Sequence, residues 1–122
     1  MRLSQLAEAL DLTRLTPLPA GHTSGPGDDP DITRGYASDL LSDVLAHAPV
    51  GGILLTLQAH LNVIAVADHA GLAAVVFTAG RRPDDEVITK AFEEGIVLFT
   101  SPVDTFELAG RLHRLGITGG GV

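Results

Sequence analysis

Apolar residues are most concentrated between Gly51 and Gly80, and their spacing there predicts a strand, a helix and a second strand. The strands run from Ile53 to Leu57 and from Ala73 to Thr78, with a helix from Leu61 to His69 between them. Apolar residues stand at consecutive positions in both strands rather than alternating with polar ones, which indicates strands covered on both faces. This unit is therefore expected at the centre of a layered α/β fold.

Further elements on either side extend this unit to a full domain. The predicted elements are a helix over Leu3–Leu10, short strands over Arg14–Leu18 and Ile32–Tyr36, a helix over Ser38–Ala48 capped by Ser38, a helix from Pro83 to Gly95, a strand over Ile96–Phe99, and a helix from the cap Ser101 to Leu115. Alternating strands and helices predict a single α/β domain, a mostly parallel sheet with helices on both faces. We expect this domain over residues 1–117, a disordered tail over 118–122, and a loop over Ala20–Pro30 in which His22 is solvated.

Two of the predicted helices are apolar well beyond a single stripe. No polar side chain interrupts the central helix from Val63 to Ala67, and the last helix spreads apolar residues from Val103 to Leu115. A helix that is apolar all round is buried on all sides, and a domain of 122 residues has few places for that. The pattern predicts a subunit interface, and we expect a homodimer held largely by these two helices.

Composition argues against several classes of function. The formal net charge of −7 is unfavourable for a sequence-independent nucleic-acid binder, because such a protein needs a basic face. The chain has no cysteine, so disulfides and thiolate catalysis are excluded. Asp68 and His69 interrupt the best apolar stretch, so no membrane span is expected. No signal peptide is evident, and the expected location is cytoplasmic.

An acidic pair begins the second predicted helix. Asp39 and Asp43 stand at i and i+4, with His47 one further turn along, and like charges at that spacing repel unless a cation lies between them. A divalent metal or a cationic ligand group is one interpretation. The other is a carboxylate at a helix start, where the helix dipole favours it, followed by a solvated face.

Polar residues also follow the first central strand. Gln58, His60 and Asn62 come directly after Thr56, and they suit a polar ligand as donors and acceptors. The alternative is that one or more of them caps the start of the central helix. His60 as a general base would need a nucleophile or an orienting carboxylate beside it, which spacing alone does not show.

The second central strand ends in a turn rich in donors. Thr78 is followed by Ala-Gly-Arg-Arg-Pro, and backbone N–H groups beside two guanidinium groups would suit a phosphate or a carboxylate. Alternatively, Arg81 and Arg82 neutralise the acidic residues that follow Pro83. The chain contains no Gly-x-x-x-x-Gly-Lys-Ser/Thr sequence, so nucleotide hydrolysis of that type is unsupported.

These residues share one position in the predicted topology, because all follow the carboxyl ends of parallel strands, where open α/β sheets bind ligands. We predict that they line one ligand-binding cleft: Asp39, Ser42, Gln58, His60, Asn62, Gly80 and Arg81. The sequence shows no activated nucleophile, and we predict neither a catalytic residue nor a metal or other cofactor.

Several stretches, in their order along the chain, resemble the DRTGG domain family. They are Ile32–Tyr36 with Ser38–Val44, then Thr56–Asn62, Gly80-Arg81 before Pro83, and Glu107–Leu112. The first stretch keeps an arginine and one glycine of the motif that names the family. DRTGG domains occur beside the kinase domain of HPr kinase, beside phosphotransacetylase, with CBS domains, and alone. The resemblance implies an α/β regulatory module without established chemistry.

The leading hypothesis is a non-catalytic homodimeric sensor that binds a small polar or anionic ligand, such as a nucleotide or a phosphorylated metabolite, and reports it to a separate effector protein. A first alternative is an interaction scaffold without a ligand, whose polar strand ends are merely caps. A second is a small enzyme that uses His60 with Asp39 or Asp43.

Overall fold

The computed structural model describes residues 1–18 and 29–119 of the chain. Its elements are α1 (Leu3–Ala9), β1 (Thr13–Arg14), β2 (Arg34–Ala37), α2 (Leu41–His47), β3 (Ile53–Thr56), α3 (Asn62–Ala70), β4 (Ala74–Phe77), α4 (Asp85–Glu93), β5 (Val97–Thr100), α5 (Thr105–Arg114) and β6 (Thr118–Gly119). His22 and most of the predicted loop around it lie outside the described residues. No helix in the described ranges is long and apolar enough to cross a membrane.

The strands form one six-stranded sheet in the order β1-β5-β4-β3-β2-β6. All neighbouring strands are parallel except β1, which runs antiparallel to β5 at one edge. In the centre, Leu54 of β3 lies beside Val75 of β4, and both are fully buried. The predicted α/β fold with a mostly parallel sheet is confirmed.

Helices cover both faces of the sheet. On one face α2, α3 and α4 pack over alternate strand residues, with Val44, Ile64 and Ala91 in the same buried cluster as Leu54 and Val75. On the other face, α1 and α5 pack over the intervening strand residues. This second cluster is built around Leu3, Leu6, Ile53, Leu55, Val76, Leu108 and Leu112. Both faces of β3 and β4 are therefore buried, which explains their consecutive apolar residues.

The central helix α3 owes its apolar character to its own neighbours. It lies in the middle of a three-helix layer and contacts both α2 and α4. Val66 and Ala70 are half-buried against this layer, while Asn62, Ala65 and His69 remain exposed. Because two flanking helices bury its sides, α3 needs no cover from a second subunit. The reason for placing α3 in a dimer interface is therefore removed.

Two predicted strand boundaries differ from those observed. The strand expected over Arg14–Leu18 is limited to Thr13–Arg14, although Leu15 and Thr16 still bond to Leu98 through a backbone N–H and a side-chain hydroxyl. The strand expected from Ile32 begins at Arg34. Ile32 is buried all the same, and its N–H donates to the Met1 carbonyl at 2.7 Å.

The sheet also reaches further towards the end of the chain than the glycines of the predicted tail indicate. Thr118 pairs with Arg34, and Gly119 pairs with Gly35, so the two residues form β6 at the outer edge of β2. The Arg34 guanidinium adds a hydrogen bond of 3.0 Å to the Gly119 carbonyl. The predicted tail over 118–122 is thus corrected at its first two residues, and residues 120–122 lie outside the described ranges.

Candidate functional site

The loops after β2, β3 and β4 leave the same edge of the sheet, because these strands are parallel neighbours. We call this edge the carboxyl edge. The loop after β2 carries Asp39, and Ser42 follows in the first turn of α2. Gln58, His60 and Asn62 follow β3, and Gly80 and Arg81 follow β4. All seven predicted site residues therefore lie at or near one edge, while their convergence on a common ligand stays a prediction.

Asp39 does not lie on a helix, so the predicted i, i+4 acidic pair is wrong. The N–H of Leu40 donates to the Ser38 hydroxyl at 3.2 Å, and α2 begins only at Leu41. Asp39 instead accepts hydrogen bonds from the N–H of Leu57 at 2.7 Å and from the hydroxyl of Thr56 at 3.2 Å. Its carboxylate therefore ties the loop after β2 to the end of β3. Ser38, which was expected to cap this helix, shapes the turn before it instead.

Asp43 belongs to a separate hydrogen-bonded group. Its carboxylate accepts the Tyr36 hydroxyl at 2.7 Å and lies 3.0 Å from Nδ1 of His47. The Tyr36 hydrogen bond is the main cause of a lowered pKa for Asp43, and the same bond raises the pKa of Tyr36. Within the described ranges, no three His, Asp or Glu side chains are grouped as a metal ion would require. The two carboxylates thus act on different parts of the structure rather than on one cation.

At the end of β3, capping accounts for part of the polar cluster. The Thr56 hydroxyl accepts the N–H of Gln58 at 3.1 Å, and Nδ1 of His60 accepts the N–H of Asn62 at 3.2 Å. The side chains of Gln58 and Asn62 make no hydrogen bond within the described residues. The capping interpretation therefore holds for His60, whereas Thr56 shapes the turn directly after β3. The amide side chains of Gln58 and Asn62 are left without an intramolecular role.

A tight turn follows β4. Ala79 and Gly80 have φ angles of 54° and 73°, and the N–H of Arg81 closes the turn onto the Thr78 carbonyl at 3.0 Å. Two central residues with positive φ are the signature of a type I′ turn, in which glycine is readily accommodated. The N–H groups of Ala79 and Gly80 both donate to backbone carbonyls of the loop after β5, at 2.8 Å each. The N–H groups of Ala79 and Gly80 are therefore already occupied, and the binding of an anion at this turn stays a prediction that depends mainly on the arginine side chains.

The guanidinium groups of this turn remain available. Arg81 and Arg82 are exposed, and neither side chain forms an ion pair or hydrogen bond within the described residues. The alternative that they neutralise the acidic residues after Pro83 is therefore not supported. The turn itself is anchored, because the Thr100 hydroxyl donates to the Arg81 carbonyl at 2.6 Å.

The start of α5 corrects one further expectation. Asp104, not Ser101, is its N-cap, and its carboxylate accepts the N–H of Glu107 at 2.9 Å. Ser101 is buried and instead accepts the N–H of Val103 at 3.2 Å. Both residue types suit capping, and the spacing alone placed the helix start three residues too early.

The sequence interpretation missed the role of Tyr36 and assigned Thr100 to capping of the last helix, whereas the Thr100 hydroxyl donates to the Arg81 carbonyl. The sequence pattern places Tyr36 only in a strand, although strand alternation puts its side chain on the face that α2 covers, within reach of Asp43. The hydrogen bond from Thr100 reaches the Arg81 carbonyl, 19 residues away in sequence, and no local sequence pattern predicts such a contact.

Comparison with known proteins gives a likeness in fold to the regulatory region of an enzyme. One matching solved structure is that of the CBS and DRTGG domains of the regulatory region of Clostridium perfringens pyrophosphatase, complexed with its activator, diadenosine tetraphosphate. The TM-score is 0.65 at 15% identity, over 88% of this chain and 44% of that chain. This chain therefore spans less than half the length of the structure it resembles.

The likeness supports the DRTGG resemblance at the level of the fold, while membership of that family stays a prediction. No family model matches the chain, and no curated protein matches it.

Proposed function

We propose that this chain is a non-catalytic regulatory module that binds a small anionic ligand, a nucleotide or a phosphorylated metabolite, at its carboxyl edge and acts as a homodimer. One observation carries the proposal. Most polar groups of this edge are occupied in holding loops together, but the side chains of Ser42, Gln58, Asn62, Arg81 and Arg82 make no hydrogen bond within the described residues. Folding does not account for these side chains, whereas a bound polar ligand would use them.

The charge of the unoccupied groups indicates the class of ligand. Arg81 and Arg82 are unpaired cations in a chain whose formal net charge is −7 and which has many carboxylates to offer them. A guanidinium binds a phosphate or carboxylate through two parallel hydrogen bonds, and the amides of Gln58 and Asn62 can donate to the same group. The nucleotide activator of the pyrophosphatase regulatory region supports a ligand of this kind. The effector would then be a separate protein.

The enzyme alternative lacks a positioned pair of groups. Within the described residues, His60 is hydrogen-bonded only to the backbone of Asn62. The carboxylate of Asp39 binds the end of β3, and that of Asp43 binds Tyr36 and His47. A general base needs an orienting partner or a nucleophile within hydrogen-bond reach, and neither carboxylate supplies one to His60.

A thermal-shift screen tests the proposal. The purified chain is heated with nucleotides, phosphorylated metabolites and inorganic phosphate, and a ligand at 100 times its dissociation constant should add about 2.7 kcal/mol to the free energy of unfolding. Arg81→Ala should abolish the shift. Lys90→Ala is the control, because it removes an exposed cation from the last turn of α4, away from the carboxyl edge, and should leave the shift intact.

Two results would contradict the proposal in different ways. If no compound raises the unfolding temperature, or if Arg81→Ala and Lys90→Ala respond alike, the scaffold alternative is favoured over the ligand-binding module. If the chain turns over ATP, a phosphoester or an acyl phosphate and His60→Ala loses that turnover, the enzyme alternative is correct.

A further inference from the structure

The outer side of α5 carries the most exposed large apolar side chain in the described part of the protein. Phe106 is 90% exposed, although it lies in the first turn of a regular helix. Leu108 and Leu112 on the inner side of the same helix are buried at 0% and 4% exposure. Full exposure of a phenyl ring forgoes the stabilisation that burial would give, so folding of one chain does not explain this residue.

An apolar groove borders α5 at Ala109, about one helical turn after Phe106. It has a volume of about 210 Å³ and separates α5 from β2 and the start of β6. Its walls include Gly35, Ala37, Leu55, Ala109, Leu112 and Ile117. Ala109 follows Phe106 by three residues on α5, which places the phenyl ring and the groove on the same side of the helix. One continuous surface thus carries both a projecting aromatic ring and a recess lined by apolar groups.

We infer that a second copy of this chain docks on this surface, with the two α5 helices antiparallel across a two-fold axis and Phe106 of each copy in the groove of the other. The inference rests on the proposed homodimer and names its interface. A two-fold interface uses the same patch on both subunits, so the patch must be complementary to itself. A projecting ring and an apolar recess on the same surface meet that requirement. A different protein as partner would need only one of the two, so their presence together favours a second copy.

Charge along α5 supports the antiparallel arrangement. With the axis near Gly110, residues equally far before and after it face each other, so the acidic first turn of one α5 lies opposite the basic last turn of the other. Glu107 pairs with Arg111 of its own helix at 3.2 Å, and His113 of the other copy then lies beside that pair. Phe106 then lies near Arg114 of the other copy, and a guanidinium over an aromatic ring is a favourable contact. Each pairing occurs twice, because the two-fold axis repeats it.

Gly110 fits the same arrangement. Glycine in the middle of a helix is unfavourable, and nothing lies within 4 Å of the position that a Cβ would occupy there. The described chain therefore gives no reason for a glycine at this position. At a helix crossing, the absence of a side chain lets two backbones approach closely.

The absence of native cysteines allows a direct test. Gly110→Cys should form a disulfide-linked dimer under mild oxidation, because residues beside the axis come within disulfide range. Val50→Cys is the control, since Val50 is 84% exposed but belongs to the turn before β3 rather than to α5. Equal crosslinking of the two variants would overturn the inference.

Sedimentation equilibrium supplies an independent measurement. The wild type should be a dimer at micromolar concentration, and Phe106→Asp should raise the dissociation constant at least about 100-fold, because it removes a central aromatic anchor and buries a charge. Val50→Asp introduces the same charge and should leave the dimer unchanged. A monomeric wild type, or a Phe106→Asp variant that still dimerises, would refute this interface.

Ligand binding is measured separately on Phe106→Asp. The ligand found in the thermal-shift screen should still stabilise this variant, because the Phe106 side chain is 90% exposed. The turn that carries Arg81 is held instead by backbone bonds to Ser101 and Val103 and by the hydroxyls of Thr100 and Thr105. Failure of the dimer interface and failure of the ligand site are thereby distinguished.

Discussion

The two ends of the sheet are built in different ways. At the amino end, the turns that lead from α2, α3, α4 and α5 into the next strand are closed by backbone hydrogen bonds, such as Gly51 N–H to the Gly71 carbonyl at 2.7 Å. Each of these turns contains a glycine with positive φ: Gly51, Gly71, Gly95 and Gly116. These glycines adopt a backbone conformation that is costly for other residues. No polar side chain is required to hold these turns.

The carboxyl edge adds side-chain acceptors to its backbone hydrogen bonds, which include those of the turn after β4. Asp39, Thr56, His60, Ser101 and Asp104 each accept a backbone N–H in the loops that leave the strands. Helices start at this edge, and their first N–H groups need acceptors that the backbone does not supply. Two kinds of polar side chain can therefore be distinguished at this edge: those that are consumed by folding, because they form hydrogen bonds within the chain, and those that form none. Only the second kind is available to a ligand without loss of structure.

The largest effect is expected when one of the consumed side chains is removed. Asp39→Ala should lower the free energy of unfolding by about 1–2 kcal/mol, because the Leu57 N–H and the Thr56 hydroxyl lose their acceptor. Chemical denaturation measures the change. Asp68→Ala removes an exposed carboxylate near the end of α3 and should leave stability unchanged or slightly higher. If both variants change the free energy of unfolding equally, the Asp39 hydrogen bonds do not stabilise the carboxyl edge in the way proposed here.

A matched pair of glycines sharpens the comparison. Gly80 and Gly95 have φ angles of 73° and 74°, and at both positions the space that a Cβ would occupy is free of other atoms within 4 Å. The two glycines lie at opposite ends of the sheet. Alanine at either position should destabilise the protein by about 1 kcal/mol, because of the left-handed backbone alone. Only Gly80→Ala should also weaken the ligand response, since its turn positions Arg81. Thermal shifts with and without ligand check both points, and a weakened response in Gly95→Ala would break the distinction.

The smallest effect is expected for Tyr36→Phe, which removes one half-exposed hydrogen bond to Asp43. The pKa of Asp43 is lowered in the fold, so this stabilisation is present above the unfolded pKa of about 3.9 and is lost as the pH falls through the folded value. The pKa of Tyr36 is raised, so the contribution is also lost as the pH rises through the raised value above about 10.

The measurement is the unfolding temperature of Tyr36→Phe and wild type across this range of pH. The difference between them should be constant near neutral pH and should vanish in strong acid. A difference that persists after Asp43 is protonated would assign the effect to packing of the ring.

The fold could be predicted from the sequence because burial leaves a local signature. Strands covered on both faces are apolar at consecutive positions, as in Ile53–Thr56 and Ala74–Phe77, and helices between them imply parallel pairing. Features set by distant contacts were not predictable in this way. Thr118 and Gly119 follow the pattern of a tail, and only their pairing with Arg34 and Gly35 makes them a strand.

The position of the candidate site could be predicted, but the roles of its residues could not. Topology alone places Asp39, His60 and Arg81 at the carboxyl edge. Whether a carboxylate caps a strand end, as Asp39 does, or belongs to a helix depends on where the helix begins, and that boundary moved by three residues. The same limit led to the misassigned cap at Ser101.

The order of the strands has a consequence for how the chain folds. The pairs β2–β3, β3–β4 and β4–β5 join neighbours in sequence, so each forms by closing a short crossover. The outer strands β1 and β6 each pair with a strand that is distant in sequence. Closing such long loops costs entropy, so these two pairings are expected to form later than the central ones. During synthesis, β2 is completed early, yet its outer partner is made last. The nascent domain therefore carries an open strand edge until α5 has emerged, and amide protons of the β2–β6 pair should exchange with solvent sooner than those of β3 and β4.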